Sequence, residues 1–334
     1  MRLGALVGAI AVAVLLAWML ATDGAWRILG LVGRAGGLGI AALALIHFPQ
    51  LWLSGAAWRA VTGSTTPKVS FGSWLTLRWI REAVNNLLPV AQVGGEFVGA
   101  RLLHKRGVTL SIALAGAVGD LTVELVTQIA FTLLGLALLL FTAGDSSVAR
   151  LMTGVLAISL LAATGFIVAQ RAGLAHLVEI GMIRIGRMVG WNFGQEPGVH
   201  AALIAIYGRP LRLLSAALYH FSSWLIGGIE VYVALHLLGH DVDLTTGMAI
   251  ESLGQALKSF GFAVPAALGV QEGGYILVCG VYGLSPEVAI ALSLMKRLRE
   301  IVLGVPALAA WQWFEARPAS MTTSSPSSGT CRDR

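Results

Sequence analysis

Two glutamates sit where carboxylates are costly. Glu96, in VGGE, and Glu272, in VQEGG, each follow a Gly- or Gln-containing bend inside an apolar segment. An intramembrane acid costs about 2.5 to 3.5 kcal/mol on insertion scales and usually faces a cavity or a partner. Two chemistries fit this pattern: contact with a cation, a proton or a lipid headgroup, or capping of the free N–H groups at a half-helix start. One side chain could do both. Asp120 and Glu124 are four residues apart and share a helix face, as do Lys296 and Glu300. An ion pair between Asp120 and Lys296, locking two parts of the chain together, is one expectation. The other is that Arg297 or Arg299 grips an anionic lipid phosphate, which a guanidinium fork matches well. Glu230 is a lone acid in an apolar stretch with His220 and His236 on either side, neither four residues away, so a structural pairing is expected rather than a metal site. Asn85 and Asn86 precede Leu87-Leu88-Pro89 and mark a helix end before proline, or present their amides to a headgroup.

The elements that must position these residues are apolar ones. Of 334 residues, 56% are apolar and 12% charged, with a mean hydropathy of +0.78. Soluble domains run near 25% charged, so an ordinary soluble enzyme is excluded. The net charge of +6 does not point to nucleic acid, because Lys and Arg fall between apolar blocks rather than on one basic face. Cys279 and Cys331 form neither a disulfide framework nor a zinc spacing. None of the four lysines completes a phosphate-cradling loop for ATP, and no cofactor is expected.

Runs long enough to cross a hydrocarbon core of about 30 Å occur at 3–21, 38–58, 119–141, 151–169, 213–238 and 287–313. The first lacks a small-x-small cleavage site and is expected to be an uncleaved anchor. Sixteen Lys and Arg then lie on the side of the N-terminus and four on the other, so six crossings with both termini in the cytoplasm are expected. Segments 69–106 and 244–285 are too apolar for loops and too broken by Gly and Pro for crossings, and are expected to be re-entrant. Trp74, Trp79, Trp311 and Trp313 fall near span ends, the place of an interfacial belt. The Ser/Thr/Pro-rich stretch 317–334 has no apolar period and is expected to be a disordered cytoplasmic tail.

Shifting the chain by 176 residues aligns Pro89 with Pro265, Glu96 with Glu272, Asp120 with Lys296 and Glu124 with Glu300. Three crossings separate the two Pro/Glu segments, which inverts the second relative to the first. The fold expected is therefore an all-α polytopic membrane domain over 1–316. It comprises about six transmembrane helices and two re-entrant segments, in inverted repeats of about 1–141 and 148–316, with a site near the midplane.

WIREAVNNLLPVAQVGGEFVGARLL, PAALGVQEGGYILVCGVYGL and SLMKRLREIVLG resemble the flippase-like family of bacterial inner-membrane proteins. That family is related to the transmembrane domain of lysylphosphatidylglycerol synthases, and the closest likeness within it is to hopanoid-associated membrane proteins. The resemblance implies an inner-membrane protein that translocates or handles lipid, with membrane lipids and hopanoid biosynthesis or transport proteins as partners. Asn85, Asn86, Pro89, Glu96, Pro265, Glu272, Lys296, Arg297 and Glu300 fall on the family-like motifs. No aminoacyl-transfer domain follows the last span, so synthase activity is not part of the expectation. A lipid flippase that does not hydrolyse ATP is the leading expectation; a non-transporting scaffold for lipid-biosynthetic enzymes is the alternative.

Overall fold

In a computed structural model, the described residues are 24–63, 69–88, 94–144, 147–170, 172, 198–261, 264, 267 and 269–316. They form α1 (Gly24–Thr62), α2 (Phe71–Leu87), α3 (Gly94–His104), α4 (Leu110–Ala143), α5 (Ser147–Ala169), α6 (Val199–Tyr207), α7 (Pro210–Leu237), α8 (Leu244–Phe260), α9 (Val270–Val281) and α10 (Pro286–Ala316). Among the described residues there are no strands, so the all-α expectation holds. The run at 3–21, the tail at 317–334, and both Pro89 and Pro265 lie outside the described residues.

The other five apolar runs fall inside α1, α4, α5, α7 and α10. Among the described residues, three helices are long and apolar enough to cross a membrane: Trp26–Thr62, Leu110–Thr142 and Ser147–Ala169. A fourth span results if α6 and α7, bent by 84° at their junction, count as one. Helix α10 has the length, at 31 residues, but carries Lys296, Arg297, Arg299 and Glu300 in its interior. Helix α1 begins well before the expected span and takes in Arg27 and Arg34, because its backbone breaks at Gly36 (φ 58°, ψ −169°) and resumes as helix. Segments 69–106 and 244–285 each contain two helices, α2 with α3 and α8 with α9.

Local chemistry sets the helix ends. The Ser70 side chain accepts from the Ser73 N–H at the start of α2, and Leu88 at its end is extended (φ −104°, ψ 149°), as the residue before a proline prefers. The Asp243 carboxylate accepts from the Thr246 N–H (2.7 Å) at the start of α8. Pro210 takes the first turn of α7, where no N–H is needed. Helices α3 and α9 end in the same motif. The Val108 N–H reaches the Leu103 carbonyl and the Leu284 N–H the Cys279 carbonyl, across Gly107 (φ 87°) and Gly283 (φ 72°). Those positive angles are why both positions are glycine.

The two glycines are 176 residues apart, as are the starts of α3 and α9 and of α4 and α10. Packing is reciprocal between corresponding helices: α2 lies on α10 and α8 on α4, while α1 lies on α10 and α7 on α4. Helices α1 and α7 pack most extensively on each other. Two apolar cores result. One gathers Trp58, Trp74, Leu77, Leu103 and Leu203; the other gathers Leu43, Leu139, Leu235, Tyr275 and Leu292. Trp74, expected in an interfacial belt, is 1% exposed and meets Trp58 edge-on at 5.0 Å, because α2 turns that face inward. Trp313, 54% exposed, stands on the outer surface.

Candidate functional site: a charged cavity between two apolar cores

On α1 and α10 the polar residues that line a common cavity fall between the two cores. On α1, Leu43 belongs to one core and Trp58 to the other, with His47, Gln50 and Ser54 between them. On α10, Met295 and Leu308 flank Lys296, Arg299 and Glu300 in the same way. These side chains, with others from α2, α3, α4, α7 and α8, line a cavity of about 270 Å³. It lies at mid-length of α4, α7 and α10. Surfaces facing away from it are apolar, with Phe141 91%, Leu211 80% and Leu161 74% exposed.

Helix α2 supplies one wall. Arg78, Arg81, Glu82 and Asn85 recur at three- and four-residue steps, so they share a stripe. Arg81, 1% exposed, donates from Nη1 to Asp120 Oδ2 (2.6 Å) and pairs through Nη2 with Glu96 Oε2 (2.5 Å). Arg78 grips both oxygens of Glu124 (3.0 and 3.3 Å) and lies 3.5 Å from Asp120. His220 of α7 closes the cluster, its Nε2 2.9 Å from Asp120 Oδ1. Asp120, Glu124 and His220 offer three ligand atoms within 4.8 Å of one another. The two guanidinium groups already supply there the positive charge a metal ion would bring.

The opposite wall comes from α8 and α10. Lys296 Nζ lies 2.7 and 2.6 Å from the two oxygens of Glu251, which also accepts from Tyr275 Oη (2.9 Å) and Gln255 Nε2 (2.9 Å). Lys258 and Arg299 each approach Glu300 at 3.6 Å. Between the walls, Glu230 accepts from Gln50 Nε2 (2.8 Å) and Arg299 Nη1 (3.3 Å), with His47 Nδ1 at 3.4 Å. His47 Nε2 meets Glu82 at 2.7 Å, and Arg299 Nη1 is in contact with His47 Nδ1.

The expected pairing of Asp120 with Lys296 is corrected: each charge is neutralised by its own wall, Asp120 by Arg81 and Lys296 by Glu251. The two expectations for Glu96 and Glu272 divide between them. Glu96 lines the cavity, beside Asn85, which accepts from the Gly95 N–H at 2.7 Å. Glu272 lies outside the lining, accepting from the Gly269 N–H (2.7 Å), Ser293 Oγ (2.9 Å) and Arg297 Nε (2.8 Å). It is a helix cap held by an arginine. Arg297 is thereby placed on Glu272, while Arg299, Asn85 and Asn86 line the cavity. Glu230 has the expected structural partners.

Sequence reasoning passed over His47, Gln50, Glu82, Glu251 and Lys258. His47 and Gln50 were visible as polar residues inside an apolar run, and Arg78, Arg81 and Glu82 as a polar stripe. Arg78 and Arg81, which count in the topology argument as charges outside the spans, are buried on α2.

The family model described as "Lysylphosphatidylglycerol synthase TM region" matches residues 4–307. No curated protein and no solved structure matches the chain.

Proposed function

The chain belongs to the lysylphosphatidylglycerol synthase TM region family, and from that premise we propose that it moves a polar lipid between the leaflets of the bacterial inner membrane without ATP hydrolysis. Membership and the apolar helices make it a multi-pass membrane protein with a lipid-related function. One observation carries the reading further: a charged cavity of about 270 Å³ sits at half the length of the long helices, walled by both halves of the chain. The charged lining suits a polar headgroup better than acyl chains, which would stay against the apolar outer surface.

The common offset of α3 with α9 and of α4 with α10, and the reciprocal packing, support two halves of inverted topology, the arrangement that gives alternating access around a midplane site. Both termini are then cytoplasmic. Reporter fusions after Gly107 should read cytoplasmic, and fusions near Asp243 periplasmic; a cytoplasmic reading at Asp243 removes the inversion. Hopanoids or other polar lipids are the proposed cargo. Purified protein in liposomes should move a labelled polar lipid between leaflets. If none moves while a known flippase works in the same assay, a scaffold for lipid-biosynthetic enzymes becomes the better account.

A further inference from the structure

We infer that His47 is a proton-binding site at the junction of the two halves, and that taking up a proton there forces Arg299 to change partners. The imidazole touches both halves. Its Nε2 lies 2.7 Å from Glu82 of α2, and its Nδ1 meets Arg299 of α10 and lies 3.4 Å from Glu230 of α7. A guanidinium can only donate and an ionised carboxylate can only accept. With Arg299 donating to Nδ1 and Nε2 donating to Glu82, this arrangement requires the neutral imidazole with its hydrogen on Nε2.

Protonation is incompatible with that contact. A proton arriving from water forms the Nδ1–H bond and removes the lone pair that Arg299 uses. The new N–H points at Glu230 Oε2, already within reach, and the imidazolium then bridges Glu82 and Glu230. Arg299 needs another acceptor. Glu230 Oε1 is buried and has no hydrogen-bond partner, on a residue 1% exposed, and Glu300 lies 3.6 Å from Arg299 Nη2. Loss of the proton to water reverses each step.

The surrounding charges favour such a site. Six carboxylates and five Lys or Arg side chains line the cavity, and Asp120, paired with Arg81, adds a further acid, so the site carries an excess of negative charge. The groups nearest His47 are otherwise engaged: Arg78 of α2 holds Glu124 of α4, Lys296 of α10 holds Glu251 of α8, and Lys258 of α8 is at Glu300. His220 of α7 is on Asp120 of α4. An imidazolium at His47 offsets part of that excess. Because α1 packs on α7 and α10, the exchange tightens α1 toward α7 and frees its tie to α10.

The test reads proton binding without any lipid movement, so it stands or falls separately from lipid transport. The full chain in lipid nanodiscs, with 15N-labelled histidine rings and arginine side chains, is titrated from about pH 8 to about pH 5, the range in which imidazoles charge. One histidine should pass from the Nε2–H form to the doubly protonated form, and that signal should be missing in His47→Gln. An Arg299 signal, identified by its loss in Arg299→Lys, should move with the same midpoint. If His47→Gln does not fold, Glu82→Gln serves instead: loss of the neighbouring charge should lower proton affinity about tenfold, a midpoint shift of about one pH unit. A His47 that keeps one state throughout, an Arg299 signal that stays fixed while His47 titrates, or an unmoved midpoint in Glu82→Gln overturns the inference.

Discussion

The two walls of the cavity are built alike and charged oppositely. The eighth residue of α2 is Arg78 and the eighth of α8 is Glu251; the eleventh of α4 is Asp120 and the eleventh of α10 is Lys296. In the first wall the short helix brings the cation and the long helix the acid. In the second the signs are exchanged, and the pairs close at 3.5 Å and 2.6 Å respectively. The geometry of a buried pair is thus preserved while its polarity is free to invert, since a pair read in either direction satisfies the same low-dielectric site. A headgroup held between the walls, as the proposed function requires, would meet two differently ordered fields, so the halves would not be interchangeable toward it.

The strongest way to break this comparison is to unpair one wall. Lys296→Ala leaves Glu251 buried with only Tyr275 and Gln255 as donors, and should cost about 3 to 5 kcal/mol, seen as lost folded yield and a lower melting temperature in detergent. Adding Glu251→Ala should restore most of it, giving a large coupling in a double-mutant cycle. The cycle of Lys296→Ala with Asp120→Ala should show coupling near zero; a large value there would reunite the two charges that the structure separates.

Reversing polarity sharpens the comparison next. Glu251→Lys with Lys296→Glu gives the second wall the order of the first, so the protein should still fold. Lipid movement should fall by about tenfold or more, equivalent to at least ~1.4 kcal/mol in the barrier. Unchanged movement would mean the order of charges is immaterial. A smaller effect belongs to the matched turns. Gly107→Ala and Gly283→Ala each force a side chain into left-handed backbone and should each cost about 1 to 2 kcal/mol, with closely similar losses in melting temperature.

Least of all, the caps of α2 and α8 should differ with pH. Ser70→Ala and Asp243→Ala should each cost about 1 kcal/mol, but only the second penalty depends on acid. Hydrogen bonds from the Thr246 side chain, the Thr246 N–H and Thr245 hold the Asp243 carboxyl below its usual range. Its contribution is therefore present above the ordinary carboxylate range and lost as pH falls through the depressed value. Melting curves of the two variants at neutral and acid pH should diverge for Asp243→Ala alone.

Composition and run length made the long helices legible, and the single offset that aligns Glu96 with Glu272 also aligns the starts of α3 with α9 and of α4 with α10. What stayed hidden was partnership. Asp120 and Lys296 share an offset, and spacing along one helix says nothing about which charge on another helix comes opposite. Arg78 and Arg81 lie in a segment whose sequence reads as re-entrant, too broken by Gly and Pro to cross, and only the packed α4 shows that their acids wait inside. For Glu272 the cap was one of two expectations, open to sequence because that role is local, three residues from the amide it holds.

The charged stripe of α2 has a consequence for how the protein is made. Arg78, Arg81 and Glu82 together would cost roughly 8 to 10 kcal/mol to place singly in hydrocarbon, so α2 cannot leave the insertion machinery for the bilayer by itself. Of Arg81's two acids, Glu96 follows on α3, while Asp120 on α4 is translated 39 residues later. Helix α2 must be held at the interface or in the translocon until α4 has emerged, and α8 must wait in the same way for Lys296, 45 residues beyond Glu251. Biogenesis of this chain therefore proceeds by pairs of helices rather than one span at a time.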